Sequence, residues 1–323
     1  MKAFRHFDAG SIDEALALLA EFGGKARVIA GGTDLLGVLK SEILSDYPEA
    51  VINLKTIAGL DGIDTGDEGI RIGALARLVD IADSPIVKKN CPALALSAAS
   101  VGSPELRNMG TIGGNLCQDT RCWYYRYPDK MGGRVPCYRK GKGPCHAIRG
   151  DNRYHAVLGG KKCYAVCPSD TAIALAALEA GVKTVRPAGE RTIPLADFYD
   201  TLGPVLEPDE VVTEIRIPAP TENAVQRFLK FRLRESIDFA VVSVAVVLDV
   251  AEGVCRDARI VLGAVAPSPY RAKAAEDVLS GGRLDERQAA RAAEAALKDA
   301  KPMSGNAYKI EIAKTLVKRA LWQ

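Results

Sequence analysis

The sequence has no apolar run long enough to span a membrane. Its most apolar stretch, Phe239–Leu248 ("FAVVSVAVVL"), is about half the length of a membrane-spanning helix, so we interpret it as a buried strand. The first residues also lack the basic segment followed by an apolar run that is typical of a signal peptide. We therefore expect a cytoplasmic protein that does not associate with a membrane.

The chain also lacks a strong excess of charge of one sign. It has 43 Lys and Arg against 40 Asp and Glu, a formal net charge of +3, which argues against a general nucleic-acid-binding role. The small excess is concentrated, because between Arg121 and Lys162 there are 11 Lys and Arg but only 2 acids, Asp129 and Asp151. A local basic surface of this kind can attract an acidic electron-transfer protein.

The 8 cysteines lack the two-residue spacing of a zinc knuckle. Disulfides are rare in the cytoplasm, so this number of cysteines indicates metal or redox chemistry. Six of them lie in the segment 117–167, which we call the cysteine loop, and its close pairs are Cys117/Cys122 and Cys163/Cys167. We favour a [4Fe–4S] cluster over a disulfide knot or a zinc site, because four thiolates suit it and loop ligands need no fixed spacing. A zinc-stabilised binding module stays open as an alternative.

Basic side chains accompany these cysteines. A cluster held by four thiolates is anionic, so nearby cations would offset its charge. The cations that we expect in this role are Arg121, Arg126, Arg134, Arg139, Lys140 and Lys142.

The order of predicted elements indicates an α+β fold. The first half alternates short strands and helices, such as the Ser-capped helix Ser11–Gly23 and the strand Arg27–Ala30. The segment Asp80–Gly102 looks helical up to a glycine turn. The order of predicted elements changes at Pro218–Ala224. After this point strands come first and helices follow, which indicates a separate C-terminal domain.

Two glycine turns are candidates for binding a pyrophosphate, although neither is the G-x-G-x-x-G of a Rossmann unit. "AGGTDLL" (Ala30–Leu36) follows a strand and opens a helix, and "GTIGGNL" (Gly110–Leu116) is similar, with Thr111 and Asn115 as polar partners. Glycines let the backbone approach a phosphate, and helix starts offer unpaired N–H groups. One such turn is weak evidence, but two of them fit a diphosphate held between adjacent subdomains, as in FAD.

"VIAGGTDLL" together with "RNMGTIGGNL" resembles the FAD-binding subunits of the molybdenum hydroxylases, the group of xanthine dehydrogenase and carbon monoxide dehydrogenase flavoproteins. "PSDTAIALAAL", "EVVTEIRIP" and "FLKFRLRESIDFAVVSVAV" extend the resemblance over nearly the whole chain. It implies a two-subdomain FAD-binding fold like that of vanillyl-alcohol oxidase, followed by an α+β C-terminal domain like that of carbon monoxide dehydrogenase flavoproteins. The implied division is 1–55, 56–220 with a cluster-bearing insertion at about 117–167, and 221–323.

The resemblance also implies roles for individual residues. Val101 and Ser103 would lie along the approach to the second turn. Asp170 would contact the adenosine or ribityl portion of FAD, with a simple helix cap as the alternative. Lys230 and Asp238 would line the flavin side, Lys230 near the isoalloxazine, with a solvated strand charge as its alternative. The residues expected to wrap the diphosphate are Ile29, Ala30, Gly31, Gly32, Thr33, Asp34, Leu35 and Leu36, and Thr111, Ile112, Gly113, Gly114 and Asn115.

The cysteine loop narrows the resemblance to a subgroup whose flavoprotein carries an additional [4Fe–4S] cluster. Its members include the β subunit of 4-hydroxybenzoyl-CoA reductase, which we favour, and a bacterial aldehyde oxidoreductase. The weaker candidates for the fourth ligand are Cys167, Cys117, His155 and His146, although we expect Cys117 to pack at the mouth of the FAD turn. The expected ligands are Cys122, Cys137, Cys145 and Cys163.

The function implied is electron transfer rather than substrate chemistry, so no catalytic residue is expected in this chain. In a reductase, electrons would pass from a low-potential, ferredoxin-like donor to the [4Fe–4S] cluster, then to FAD, and on to partner subunits. Those partners would be a [2Fe–2S] small subunit and a molybdopterin large subunit, in a dimer of heterotrimers. A stand-alone flavin oxidase is the alternative, but it needs a larger substrate domain than the segment after residue 224.

Overall fold

A small parallel sheet forms the start of the chain. The computed structural model describes residues 1–44, 46–129, 131–132, 135–219, 221 and 224–322. Its first elements are β1 (Arg5–Asp8), α1 (Ile12–Glu21), β2 (Ala26–Ile29), α2 (Leu35–Ser41) and β3 (Ala50–Asn53). The strand order is β1–β3–β2, with both neighbours parallel. Ser11 accepts a hydrogen bond from the Glu14 amide at 3.1 Å, so the predicted cap of α1 is confirmed.

Five helices and then the cysteine loop are inserted within an antiparallel sheet. The first part contains β4 (Ile63–Gly66), β5 (Gly69–Gly73), α3 (Leu78–Asp83), α4 (Pro85–Asn90), α5 (Pro92–Ala99), α6 (Pro104–Met109) and α7 (Ile112–Leu116). The second part contains α8 (Trp123–Arg126), α9 (Asp170–Ala177), β6 (Gly181–Arg186), β7 (Gly189–Pro194), β8 (Tyr199–Asp200), β9 (Gly203–Pro204) and β10 (Val211–Pro218). The five-stranded order is β4–β5–β10–β6–β7, and β8 pairs with β9 separately.

Prolines divide the segment that we expected to be helical up to Gly102. It consists of three short helices, because Pro85 and Pro92 each stand at the first position of a new one. Ser84 caps the second of these helices by accepting a hydrogen bond from the Val87 amide.

The C-terminal region is a four-stranded antiparallel sheet covered by helices. Its elements are β11 (Val225–Phe231), β12 (Val242–Ala251), β13 (Val254–Gly263), β14 (Tyr270–Arg271), α10 (Lys273–Leu279), α11 (Glu286–Ala296) and α12 (Tyr308–Trp322). Ala245 and Val247 of β12 face the central core, whereas Val244 and Val246 face the helices, so this strand is buried on both sides. The prediction of a buried strand is confirmed, and no helix of the described residues can cross a membrane.

The cysteine loop has little regular structure of its own. Besides α8 it contains two single 3₁₀ turns, Tyr138–Lys140 and His146–Ile148. The C-terminal helix α12 holds its second half, because the buried ammonium of Lys309 donates to the carbonyl oxygens of Tyr154, His155 and Ala264. Such contacts from outside fix a segment that local structure alone would leave variable.

Candidate functional site

A cleft of about 610 Å³ lies at the predicted site, and we call it the glycine cleft. It is lined by the β2–α2 turn, by the turn before α7, and by the ends of β5 and β10. The predicted diphosphate residues that line it are Ile29, Ala30, Gly31, Gly32, Thr33, Asp34, Leu35, Thr111, Gly113 and Gly114. The fold therefore brings together two turns that are about eighty residues apart in the sequence.

Glycine is required where these two turns meet. A Cβ atom on Gly31 would overlap the carbonyl oxygen of Met109, just before the second turn. A Cβ atom on Gly113 would lie 2.9 Å from the carbonyl oxygen of Ala74, and Gly32 has a φ of +69°. These glycines thus permit a close backbone approach and a left-handed turn that other residues do not.

A smaller cavity of about 110 Å³ adjoins the glycine cleft and shares Thr33, Asp34, Thr111 and Gly114 with it. The remaining predicted residues that line the smaller cavity are Val101, Asn115, Asp170, Lys230 and Asp238.

Asp170 and Lys230 form a buried ion pair in this smaller cavity. Lys230 Nζ lies 2.6 Å from Asp170 Oδ2 and also donates to the Ser100 carbonyl at 3.0 Å. The side chain of Lys230 is only 4% exposed and that of Asp170 only 7%, so the interpretation of Lys230 as a solvated strand charge is wrong. The cap interpretation of Asp170 is also wrong, because Ser169 caps α9 and Asp170 is its first residue.

Three of the predicted residues line none of these cavities. Ser103 instead caps α6 through the Leu106 amide, Ile112 is fully buried in the core, and Leu36 packs beside Gly32.

Asn115 lines the smaller cavity, but its side-chain oxygen is already used. It accepts hydrogen bonds from Ser169 Oγ at 2.6 Å and Thr171 Oγ1 at 2.7 Å. Asn115 therefore connects the second turn to α9.

The four predicted cluster ligands line one small cavity of about 20 Å³, which we call the cysteine cavity. They come from four separate places in the loop: Cys122, Cys137, Cys145 and Cys163. The two other cysteines of the loop, Cys117 and Cys167, line the glycine cleft instead. The structure thus groups the same four thiols that the sequence singled out.

His155 contacts one of these thiols without lining the cavity. Its Nε2 lies 3.3 Å from Cys122 Sγ, and its ring packs edge-on against Trp123 with ring centres 5.7 Å apart. Burial lowers the pKa of His155 to about 4 and raises the pKa of Cys122 to about 11. Without a bound metal both groups are therefore neutral at pH 7.

A single metal ion does not fit the thiols as they are placed. Among the described residues, no three His, Cys, Asp or Glu side chains are grouped closely enough to hold a metal ion. A tetrahedral zinc ion, at about 2.3 Å from each sulfur, requires such a group.

Two side chains form the wall between the cleft and the cysteine cavity. Tyr125 and Arg139 line both of them, and the Arg139 guanidinium lies over the Tyr125 ring at 5.6 Å. The Tyr125 hydroxyl donates to Asp119, and burial beside that carboxylate raises the pKa of the phenol. Neither Tyr125 nor Asp119 was predicted from the sequence, although Asp119 is an acid at the edge of a basic loop.

Several of the predicted compensating cations already have partners. Arg121 and Arg126 both pair with Asp34, at 2.9 and 2.8 Å, and Arg139 lies 3.6 Å from Asp119. Arg134 lies outside the described residues. Part of the positive charge of the cysteine loop is therefore paired with Asp34 in the first glycine turn.

Two family models together match almost the whole chain. Residues 2–220 match the FAD binding domain in molybdopterin dehydrogenase, and residues 227–323 match the CO dehydrogenase flavoprotein C-terminal domain. The predicted fold class is therefore confirmed.

Individual relatives agree with the family models. The FAD-binding subunit PaoB of an Escherichia coli aldehyde oxidoreductase is 37% identical over 97% of this chain and 96% of its own. The carbon monoxide dehydrogenase medium chain of Hydrogenophaga pseudoflava is 30% identical over 98% and 96%. A solved structure of that carbon monoxide dehydrogenase superposes with a TM-score of 0.78 over 99% of this chain and 96% of the other. Quinoline 2-oxidoreductase from Pseudomonas putida 86 gives 0.78 at 27% identity, over 99% and 97%.

Proposed function

The chain belongs to the FAD-binding medium subunits of the molybdenum hydroxylase family, and we propose that it transfers electrons between FAD and a [4Fe–4S] cluster held by its cysteine loop. It is an oxidoreductase subunit with FAD as its cofactor. The observation that carries the proposal is the shared wall, because Tyr125 and Arg139 line both the glycine cleft and the cysteine cavity. Two redox groups in these positions would be separated by one layer of side chains.

The glycine cleft suits the diphosphate and adjoining parts of FAD. Its two turns present backbone where a Cβ atom would collide, and Thr33 and Thr111 add hydroxyl groups at its edge. We propose that Lys230, fixed by Asp170, lies at the flavin end, since this pair lines the adjoining cavity together with Asp238. When bound, FAD supplies the electron chemistry, and these residues orient it and exclude water.

The support for the cluster proposal is the set of four cysteines that line the cysteine cavity. In a [4Fe–4S] cluster each thiolate binds a different iron at a separate corner, so the four sulfurs stand farther apart than around one zinc ion. Four cysteines from separate parts of the loop line the one cavity, and four is the number of thiolates that such a cluster binds. Thiol pKa values raised by burial, as for Cys122, would fall on binding iron.

The reaction catalysed on partner subunits is proposed from resemblance. The 37% identity to the FAD-binding subunit of an aldehyde oxidoreductase favours aldehyde oxidation, with electrons leaving through FAD and the cluster. The sequence pattern had favoured the β subunit of 4-hydroxybenzoyl-CoA reductase, which now becomes the second candidate, with electron flow in the opposite direction. Reduction potentials separate the two, because electron entry through the cluster requires a cluster potential well below that of the flavin.

The partners follow from the same proposal. A [2Fe–2S] small subunit and a molybdopterin large subunit would complete the enzyme. The cysteine loop exposes basic side chains, including Lys142, Arg149, Lys161 and Lys162. These would attract an acidic, ferredoxin-like protein, and the association rate should fall steeply with salt.

Composition analysis of the complex, purified without oxygen, tests the proposal. We expect about one FAD, four iron atoms and four acid-labile sulfides attributable to this chain, beyond the iron of partner subunits. The chain expressed alone and reconstituted with iron and sulfide gives the same numbers without that correction. Zinc in place of iron would contradict the cluster, and a single polypeptide that turns over substrate unaided would contradict the subunit role.

A further inference from the structure

Asp34 occupies the capping position of α2 but does not cap it. Aspartate is preferred at this position because its carboxylate usually accepts hydrogen bonds from the first turn of the helix. Within the described part of the chain, the Asp34 carboxylate makes no such bond with α2. Because the Asp34 carboxylate does not cap its own helix, we looked for its role in contacts with other segments of the chain.

Among the described residues, the hydrogen-bond and ion-pair partners of the Asp34 carboxylate belong to the cysteine loop. Its Oδ1 accepts from Arg126 Nη2 at 2.8 Å and lies 2.9 Å from Arg121 Nη1. Its Oδ2 accepts from the backbone amide of Asp119 at 2.7 Å. The carboxylate is only 16% exposed, so these are charge-assisted contacts in a largely dry environment.

Arg121 and Arg126 connect Asp34 to the surroundings of the cysteine cavity and of the smaller cavity. They flank Cys122, one of the four thiols of the cysteine cavity. Arg126 also donates to the carbonyl of Thr120 at 2.7 Å, and the Arg121 guanidinium lies over the Phe239 ring at 4.9 Å. Phe239 lines the smaller cavity, which we assign to the flavin end of the cofactor.

We propose that Asp34 is a positioning residue that couples FAD binding in the glycine cleft to the order of the cysteine loop. The Asp34 carboxylate links the first glycine turn to the cysteine loop. Loosening the loop therefore loosens the turn, and a cofactor that orders the turn also orders the loop. By linkage the effect is reciprocal. This inference rests on the proposal that the glycine cleft binds FAD.

Arg126→Gln is the informative variant, because Arg126 lines none of the cavities described above and so does not contact FAD directly. We expect the Kd of the full-length chain for FAD, measured by fluorescence titration, to rise about fivefold or more. Arg153→Gln is the matched control in the same loop, since Arg153 is exposed and pairs with Asp151. It should leave the Kd unchanged.

Asp34→Asn keeps the size of the side chain and should act in the same way. If the two residues act through one contact, the double variant Asp34→Asn/Arg126→Gln should bind FAD no more weakly than the weaker single variant. Hydrogen exchange supplies a second measurement, made on cluster-free protein because the monitored segment contains Cys122. FAD should slow exchange of the amides of residues 119–126 in the wild type and have little effect on them in Arg126→Gln.

The outcomes separate this inference from the proposed function. If wild-type protein does not bind FAD, the proposed function is wrong. If it binds FAD while Arg126→Gln matches Arg153→Gln in Kd and in exchange, the coupling alone is wrong. If Arg126→Gln does not fold, as judged by circular dichroism, hydrogen exchange is measured with Asp34→Asn instead. If FAD then slows exchange of residues 119–126 as much as in the wild type, the coupling is wrong.

Discussion

The glycine cleft and the cysteine cavity are adjacent but are built in different ways. The cleft is shaped by backbone, since its two turns lie at the ends of strands and helices and touch where Gly31 meets Met109. The cysteine cavity is lined by side chains on an irregular loop that Asp34 holds from one side and Lys309 from the other. We infer that the cleft exists before its cofactor binds, whereas the cavity depends on its ligands and on these outside contacts.

The largest expected effect follows from removing one thiol of the cysteine cavity. Cys163→Ser should abolish the EPR signal of the cluster, because a cluster with three thiolates is labile. FAD content at saturating FAD should not change, since none of the four cysteines lines the glycine cleft. Cys167→Ser is the control and should keep the cluster, because Cys167 lines the cleft instead. Loss of the signal only in Cys167→Ser would show that the fourth ligand has been misassigned.

Removing the C-terminal support should have the next largest effect. Lys309→Met removes the shared donor of three carbonyls, of which, among the described residues, only that of His155 keeps a second donor, Asn306, and this should lower the free energy of unfolding by about 2 kcal/mol. Lys318→Met, an exposed change on the same helix, should cost less than about 1 kcal/mol. Urea unfolding of the three proteins measures both effects, and equal losses would contradict a supporting role for Lys309.

The same lysine predicts a pH dependence. Burial lowers the pKa of Lys309 from 10.5 to about 7, so between these pH values the unfolded chain binds more protons than the folded one. Stability of the wild type relative to Lys309→Met should therefore rise with pH in that window, by up to about 1.4 kcal/mol per pH unit. Parallel stability curves for the two proteins would contradict the buried-lysine explanation.

A substitution in the cleft tests whether its backbone is preformed. Gly31→Ala would place a methyl group against the Met109 carbonyl, and relieving such overpacking costs about 1–3 kcal/mol. We expect FAD affinity to fall by roughly 5- to 150-fold, with the cluster still present. Gly37→Ala, in α2 where nothing lies within 4 Å, should bind FAD normally. Normal binding by Gly31→Ala would mean that the cleft adapts to its cofactor.

The smallest effect is expected at the wall between the two sites. Arg139→Gln removes a cation that borders both the cleft and the cavity, and so should lower the reduction potentials of both groups. An interaction of about 1 kcal/mol corresponds to about 40 mV for one electron. Redox titration followed by flavin absorbance and EPR measures the shift, with the exposed Lys161→Gln as control. A shift in only one of the two potentials would show that Arg139 serves one site.

Sequence patterns were most reliable where a residue acts on its own neighbours. Ser11 and Ser169 cap the helices that follow them, and the apolar run Val242–Leu248 forms a buried strand. They were least reliable for polar side chains with distant partners. Asn115 was expected to contact FAD, but its amide oxygen is bound by Ser169 and Thr171, more than fifty residues later. No local signal indicates such a partner.

The sequence by itself determined the family, the FAD cofactor and the four thiols that are grouped in one cavity. These depend on motifs and residue types, which are properties of short segments. Only the tertiary structure decided that Cys167 lines the cleft, that Asp34 holds the cysteine loop, and that Tyr125 and Arg139 separate the two sites. The physical reason is that a charged or thiol side chain acquires its role from the groups around it, and in an irregular loop long-range contacts set those neighbours.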